Sequence, residues 1–277
     1  MVDAIVIGAG LFGQLIARGL EETGRRVILV DSQEPHAGSP PAACLIRKEW
    51  SGKLPVGVFD AGVGWLGERF TTYEKELHQV GNARNPIIKP LWFNPKELMR
   101  YQPVICKVNQ PVPVGKLDWC VSGSSFMEDA PLVVVAAGVW SQELVPWYPL
   151  TMVGKGGAAW LYRDVMKLGF ITSWAPYKQI VGFHRGDGYW VSDSSAILHE
   201  NFTLERKLQS YDRCRSAAGI DKGQHPYKEL YGIRPYTVEQ PCVCKQIKPG
   251  LWVAVGARKN GTLLGAWCAQ KIVRETS

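Results

Sequence analysis

Four consecutive apolar residues, Ala4-Ile5-Val6-Ile7, predict a strand buried on both faces, because such a run leaves no polar side to turn toward water. After Gly8-Ala9-Gly10-Leu11-Phe12-Gly13 the period changes. Leu15, Ile16 and Leu20, with small Ala17 and Gly19 between them, recur at helical spacing, and Gly24 stops that helix. Val27-Ile28-Leu29-Val30 is a second apolar strand, closed by Asp31. Farther on, Leu132-Val133-Val134-Val135-Ala136-Ala137-Gly138 reads as a buried strand ending in small residues. Leu251-Trp252-Val253-Ala254-Val255-Gly256 reads as another, leading through Ala257-Arg258-Lys259-Asn260-Gly261 into an apolar helix. Strand, helix and strand in close succession predict an α/β chain with a Rossmann-type parallel sheet.

The turn between the first strand and the first helix is where chemistry enters. Gly8 permits a tight turn, Gly10 lets backbone approach a pyrophosphate, and Gly13 lets helix and strand pack closely. The helix N-terminus then offers free N–H groups and a positive dipole end to phosphate. Asp31, eighteen residues after Gly13, is placed to accept from a ribose hydroxyl. An acid there repels the extra phosphate of NADP, so the spacing points to FAD or NAD.

Composition narrows the class. The chain has 277 residues, 46% apolar and 21% charged, enough for a folded core. Its longest apolar run, Pro131 to Trp140, is too short to span a bilayer, and Met1-Val2-Asp3 lacks the basic start of a signal peptide. Seven cysteines without paired metal spacing read as reduced thiols in a cytoplasm, and no metal site is expected; Cys242-Val243-Cys244 lacks a second pair. The five histidines follow no metalloenzyme spacing. Net charge is +7, all of it in residues 139–277, where 18 basic residues face 11 acidic ones. A bias of that sign suits a solvated basic surface or a polyanionic partner.

Five segments in order carry a family resemblance: the Gly8–Gly13 fingerprint; Gly38-Ser39-Pro40-Pro41-Ala42-Ala43; Val135-Ala136-Ala137-Gly138-Val139-Trp140-Ser141; Gly232-Ile233-Arg234-Pro235; and Val255-Gly256-Ala257-Arg258-Lys259-Asn260-Gly261-Thr262-Leu263-Leu264. With these the chain resembles the FAD-dependent amino acid oxidases of the glycine oxidase and D-amino acid oxidase type. The resemblance implies a discontinuous FAD-binding domain (1–60, 104–145 and 228–277) and a smaller α+β substrate domain (61–103 and 146–227).

It also implies roles. Gly8, Gly10, Leu11, Phe12, Gly13, Asp31 and Ser32 would hold the ADP half of non-covalent FAD. Ser39, Ala42 and Ala43 would lie along the flavin and its phosphates, with Ala137, Gly138 and Trp140 close to the dinucleotide. Asn260, Gly261, Thr262, Leu263 and Leu264, opening the last helix, would present N–H groups to the flavin pyrimidine oxygen, where reduced flavin carries negative charge. Arg234 matches the arginine that clamps the substrate carboxylate, a task suited to its planar fork, and also borders the flavin. Tyr177, near Trp174 and Trp190, is the aromatic expected at the catalytic site with Arg234 and Lys259.

Two departures change the picture. Relatives commonly carry G-H-x-R-N-G where this chain has Gly256-Ala257-Arg258-Lys259-Asn260-Gly261, so histidine is absent at 257 and lysine stands at 259. Lys259 can meet a carboxylate as a point charge, sit beside the flavin, or face solvent. The chain is also short for this family, with only 43 residues between Asp60 and Val104, where relatives build a lid.

The implied chemistry is oxidation of an N-substituted glycine, with molecular oxygen as acceptor and glyoxylate as product. Hydride leaves Cα directly, so no dedicated general base is needed. Relatives acting on modified nucleobases include the bacteriophage FAD-dependent lyases of thymidine hypermodification. With the reduced lid and the +7 half, the resemblance makes a glycyl-modified thymine in DNA the leading expected substrate. Basic residues from Arg206 to Lys228 would meet its phosphates. The alternatives are an oxidase of free glycine, sarcosine or a D-amino acid, and a catalytically silent flavin-binding protein. No membrane partner is expected, and the oligomeric state stays open.

Overall fold

A computed structural model describes residues 2–33, 37–39, 42–50, 54–80, 87–105, 107–108, 117–121, 124–128, 130–163, 165–175, 178–193, 197–238 and 241–277. Among the described residues no helix is long and apolar enough to cross a membrane.

The first layer is a six-stranded sheet. β1 (Ala4–Ile7) lies at its centre, parallel to β2 (Val27–Asp31) on one side and to the Leu132–Val135 strand on the other. The edge beyond β2 is β3 (Val104–Ile105), and the Leu132–Val135 strand is β4. Every residue of β1 and β4 is buried, as their unbroken apolar runs require. Alternation along β1 divides the core. Ala4 and Val6 pack toward α1 (Leu11–Glu21), while Ile5 and Ile7 pack on the other face with Val133, Val135 and Val145.

α2 (Val58–Arg69) lies on the α1 side of the sheet. A Cβ added to Gly19 of α1 would meet Trp65 of α2 at 3.6 Å and Ala269 of the last helix at 3.4 Å, so small residues set this three-helix seam. Burial of Leu15, Ile16, Leu20 and Leu66 there contributes about 1.5–3 kcal/mol per side chain.

The second layer is an antiparallel sheet built on β5 (Met152–Tyr162), β6 (Phe170–Ala175), β7 (Lys178–His184) and β8 (Tyr189–Asp193). One face carries α3 (Leu204–Ala217), where Cys214 and Ala218 pack on Trp160, Tyr162, Tyr189 and Val191. The other face buries Ala159, Leu161, Phe183 and Trp190 and receives Ala43 and Leu45 from the loop after β2. β9 (Lys228–Thr237) pairs with β5 from Met152↔Thr237 to Leu161↔Lys228.

The chain then returns to the first sheet as β10 (Val243–Lys248) and β11 (Leu251–Val255), with β11 parallel to β4, and closes in α4 (Gly261–Thr276). One expected boundary therefore falls inside an element, and another assigns a strand to the other sheet. Residue 60 lies within α2, whose packing belongs to the first layer throughout. Residues 228–237, expected with the first domain, are a strand of the second sheet.

Candidate functional site

The β1–α1 turn is fixed by contacts that only glycine allows. Gly8 has φ +102°, donates to the Val30 carbonyl at 2.7 Å, and a Cβ on it would stand 2.5 Å from the Ala136 carbonyl oxygen. A Cβ on Gly13 would stand 1.7 Å from the Gly8 carbonyl oxygen. Around Gly10 the nearest obstacle is Ser39 Oγ, 2.9 Å from such a Cβ. Ser39 Oγ accepts the Leu11 N–H at 2.8 Å, the first of the helix's unpaired donors. Asp31 Oδ2 accepts from the Ala9 N–H and Oδ1 from the Gln33 N–H, each at 2.6 Å. A carboxylate has about four acceptor sites, so acceptor capacity is left on Asp31 at the end of β2.

These groups border a cavity of about 820 Å³ between the two layers, in the upper range for ligand sites. The structure brings to it Gly8, Gly10, Leu11, Phe12, Asp31, Ser32, Ser39, Ala42, Ala43, Ala137, Gly138 and Trp140. From the far end of the chain it adds Arg234, Lys259, Asn260, Gly261, Thr262 and Leu263. Two expected residues do not line it: Gly13 is packed beneath Gly8, and Leu264 is buried in the core under α4. Tyr177 lies outside the described residues.

Two isolated bridges aim Arg234. Ala37 pairs in parallel with Ile233, and Tyr236 pairs antiparallel with Ala257, so β9 is held on both sides of Arg234 by loops of the first layer. Arg258 takes φ +54°; its N–H donates to the Pro235 carbonyl at 3.2 Å and its guanidinium to the Thr237 carbonyl at 3.0 Å. That pinned turn sets Lys259 next to Arg234. Burial, and then the Arg234 cation, hold the Lys259 pKa below the usual 10.5, although the side chain opens to the cavity. Among the described residues neither Arg234 nor Lys259 makes an ion pair.

α4 starts at the same wall. The Leu264 N–H bonds to the Asn260 carbonyl at 2.9 Å, and those of Gly261, Thr262 and Leu263 precede the first intrahelical bond. A Cβ on Gly261 would meet Leu11 Cδ1 at 3.5 Å, so the N-termini of α1 and α4 lie side by side. Two positive helix ends and two cations thus border the same cavity.

Several residues at or behind the cavity wall escaped the sequence reading. Cys44 is buried at φ +54°, hydrogen-bonded with Thr262, and burial pushes its thiol up to about 11. Arg185, only 7% exposed, donates to the Ala42 carbonyl at 3.3 Å and pairs with Asp187 at 2.8 Å, so the Arg-Gly-Asp turn fastens the small-residue loop. Gln179, Ser192 and Asp193 form part of the wall from the second sheet. No spacing signals them, because β-pairing alone brings them there.

The basic stretch from Arg206 to Lys228 does not border the cavity. It starts on α3, packed on the opposite face of the second sheet, and three of its six Lys and Arg side chains are in ion pairs: Lys207 with Glu229, Arg213 with Asp193, and Arg215 with Asp212. The expected phosphate contacts of a DNA substrate are therefore not assembled at this site.

No family model matches this sequence, and none of the curated proteins does. Solved structures do match. Glycine oxidase from Bacillus cereus aligns over 100% of this chain and 96% of its own at a TM-score of 0.75, with 16% identity. This chain has the glycine oxidase fold. L-proline dehydrogenase from P. horikoshii aligns over 100% of this chain and 93% of its own at 0.73 and 11% identity. Iminodiacetate oxidase from Chelativorans sp. aligns over 96% and 93% at 0.69 and 13% identity. The fold thus persists from end to end although few residues are shared.

Proposed function

We propose that this protein is a flavoenzyme that oxidises the C–N bond of a free glycine-like amine. The observation that carries the reading is the shared cavity: one wall holds the glycine turn and Asp31, and another presents Arg234 and Lys259 without an ion-pair partner among the described residues. The fold of glycine oxidase and iminodiacetate oxidase supports it.

The residues present fit FAD. The α1 N-terminus, where Gly10 carries no side chain, would take the pyrophosphate, and the spare acceptor capacity of Asp31 a ribose hydroxyl. Ala42 and Ala43 leave room for a flat ring, and the α4 N-terminus would meet negative charge on it. Bound FAD would supply the acceptor for the Cα hydride, with oxygen as final electron acceptor. Arg234 would grip the substrate carboxylate bidentately and so aim Cα. The cavity's apolar side chains, such as Leu45, Val181 and Trp190, would keep water from the reacting centre. In balance, substrate, oxygen and water give the released amine, glyoxylate and peroxide: a C–H and an N–H bond are lost to oxygen, and water completes C–N cleavage.

Glycine carried on thymine in DNA is supported by the +7 excess, but the Arg206–Lys228 stretch expected to meet its phosphates does not border the cavity. A free amine is the better reading.

The test is anaerobic addition of glycine, sarcosine, longer N-alkylglycines and glycyl-thymidine DNA to the FAD-loaded protein, following flavin bleaching and then glyoxylate. Bleaching by the small amines supports the proposal. Turnover of DNA alone would replace the substrate, and failure to bind FAD would end the reading. Arg234→Ala should cost about 2–5 kcal/mol in kcat/KM, by analogy with broken buried charge pairs.

A further inference from the structure

The charge at the Arg234 end of the cavity exceeds what one carboxylate neutralises. Arg234 and Lys259 border the same cavity, and the Arg234 cation adds to burial in lowering the Lys259 pKa. The acids bordering the cavity are engaged or stand apart. Asp31 accepts two backbone N–H groups at the end of β2. Glu49 pairs with Arg47 at 2.7 Å, and Asp193 with Arg213 at 2.8 Å. Glu143, on the short helix after Trp140, makes no ion pair with either cation. Arg258 adds a further positive charge on the same turn, held to the Thr237 carbonyl. Two like charges on the border of one cavity repel each other, and a ligand bringing matching charge relieves that repulsion.

We infer that Lys259 binds a second anionic group, so that the substrate is a small N-substituted glycine whose nitrogen substituent carries its own carboxylate. This rests on the flavoenzyme reading above. Arg234, with its planar fork, takes the glycine carboxylate. Lys259, a compact charge on a flexible stem, takes the second acid at whatever distance the substituent sets. The reaction keeps the balance given above, and the released amine is itself an amino acid.

The experiment compares dianionic substrates with neutral partners of the same shape on the FAD-loaded protein. Iminodiacetate, N-(2-carboxyethyl)glycine and N-(3-carboxypropyl)glycine would be set against sarcosine and N-isopentylglycine. The expected preference for the best dianion over N-isopentylglycine is about ten- to a hundred-fold in kcat/KM, the range of a hydrogen bond to a charged group. It should reside in KM, collapse in Lys259→Met and survive in Lys259→Arg.

Calorimetric titration with oxydiacetate and with methoxyacetate, neither of which has an amine to oxidise, gives a readout independent of turnover. Oxydiacetate should bind the wild type at least about ten-fold more tightly, and lose that margin in Lys259→Met. Equal use of N-isopentylglycine and the dianions overturns the inference while leaving the flavoenzyme reading intact. So does a preference that persists in Lys259→Met while flavin reoxidation slows, which would assign Lys259 to the oxygen step. Absence of bleaching by every N-substituted glycine instead removes the reading on which the inference stands.

Discussion

Arg213 Nη2 reaches through the edge of the second sheet to lie 2.8 Å from the carboxylate of Asp193, whose side chain has no exposed surface. The pair couples α3, on one face of that sheet, to a residue bordering the cavity on the other. Arg213→Met should therefore cost about 3–5 kcal/mol, because it strands a buried carboxylate. Adding Asp193→Asn should recover a large part of that loss. Urea unfolding of the two single variants and the double variant measures the coupling, and additive losses would show that the pair does not act as a unit.

Gly13→Ala sets two effects against each other. Alanine is favoured over glycine within a helix by about 1 kcal/mol. The new Cβ, however, would lie 1.7 Å from the Gly8 carbonyl oxygen, a backbone atom that cannot swing away. Sterics win: a net loss of about 3 kcal/mol and loss of flavin retention are expected. A melting curve with flavin content measured alongside decides it, and a stabilised, flavin-replete variant would contradict the packing described.

Cys44 offers the reverse case. At φ +54° any side chain is strained, so Cys44→Gly should be more stable than Cys44→Ala by about 1 kcal/mol, although both delete the thiol. The buried thiol, pushed up to about 11, should also resist alkylation at pH 8 in the folded protein. Rapid labelling of native protein at Cys44 would contradict this burial.

Lys259 predicts a pH dependence of known sign. Its lowered pKa means that the cation is lost as pH rises through a value below 10.5. Affinity for oxydiacetate, which does not titrate in that range, should fall over the same interval and stay level at lower pH. In Lys259→Arg the fall should disappear, because a guanidinium stays charged. Constant wild-type affinity up to pH 10.5 would count against Lys259 as the binding cation.

What the sequence made legible was local. The Gly8–Gly13 turn, α1 with its stop at Gly24, β1, β2 and the entry to α4 were all readable, because each rests on neighbours within a few residues. Arg234 was readable through the motif around it. Its aim was not, since that depends on bridges from Ala37 and Ala257. Cys44 and Asp193 were hidden for the same reason: sheet pairing and long-range packing bring them to the wall, and no periodicity records that. β9 went to the wrong layer because a strand's own residues do not state which sheet it joins. The basic stretch from Arg206 to Lys228 was readable but its position was not, because sequence proximity does not reveal which face of a sheet a helix covers.

The side-by-side helix ends have a consequence for biosynthesis. One end, at Gly10 and Leu11, leaves the ribosome more than two hundred residues before its neighbour at Gly261. Until then β4 lacks β11 and the anion site has only half its positive field. Cofactor capture should thus wait for α4, and a nascent chain that has not yet reached Gly261 would have a weaker grip on a nucleotide at the Gly8–Gly13 turn.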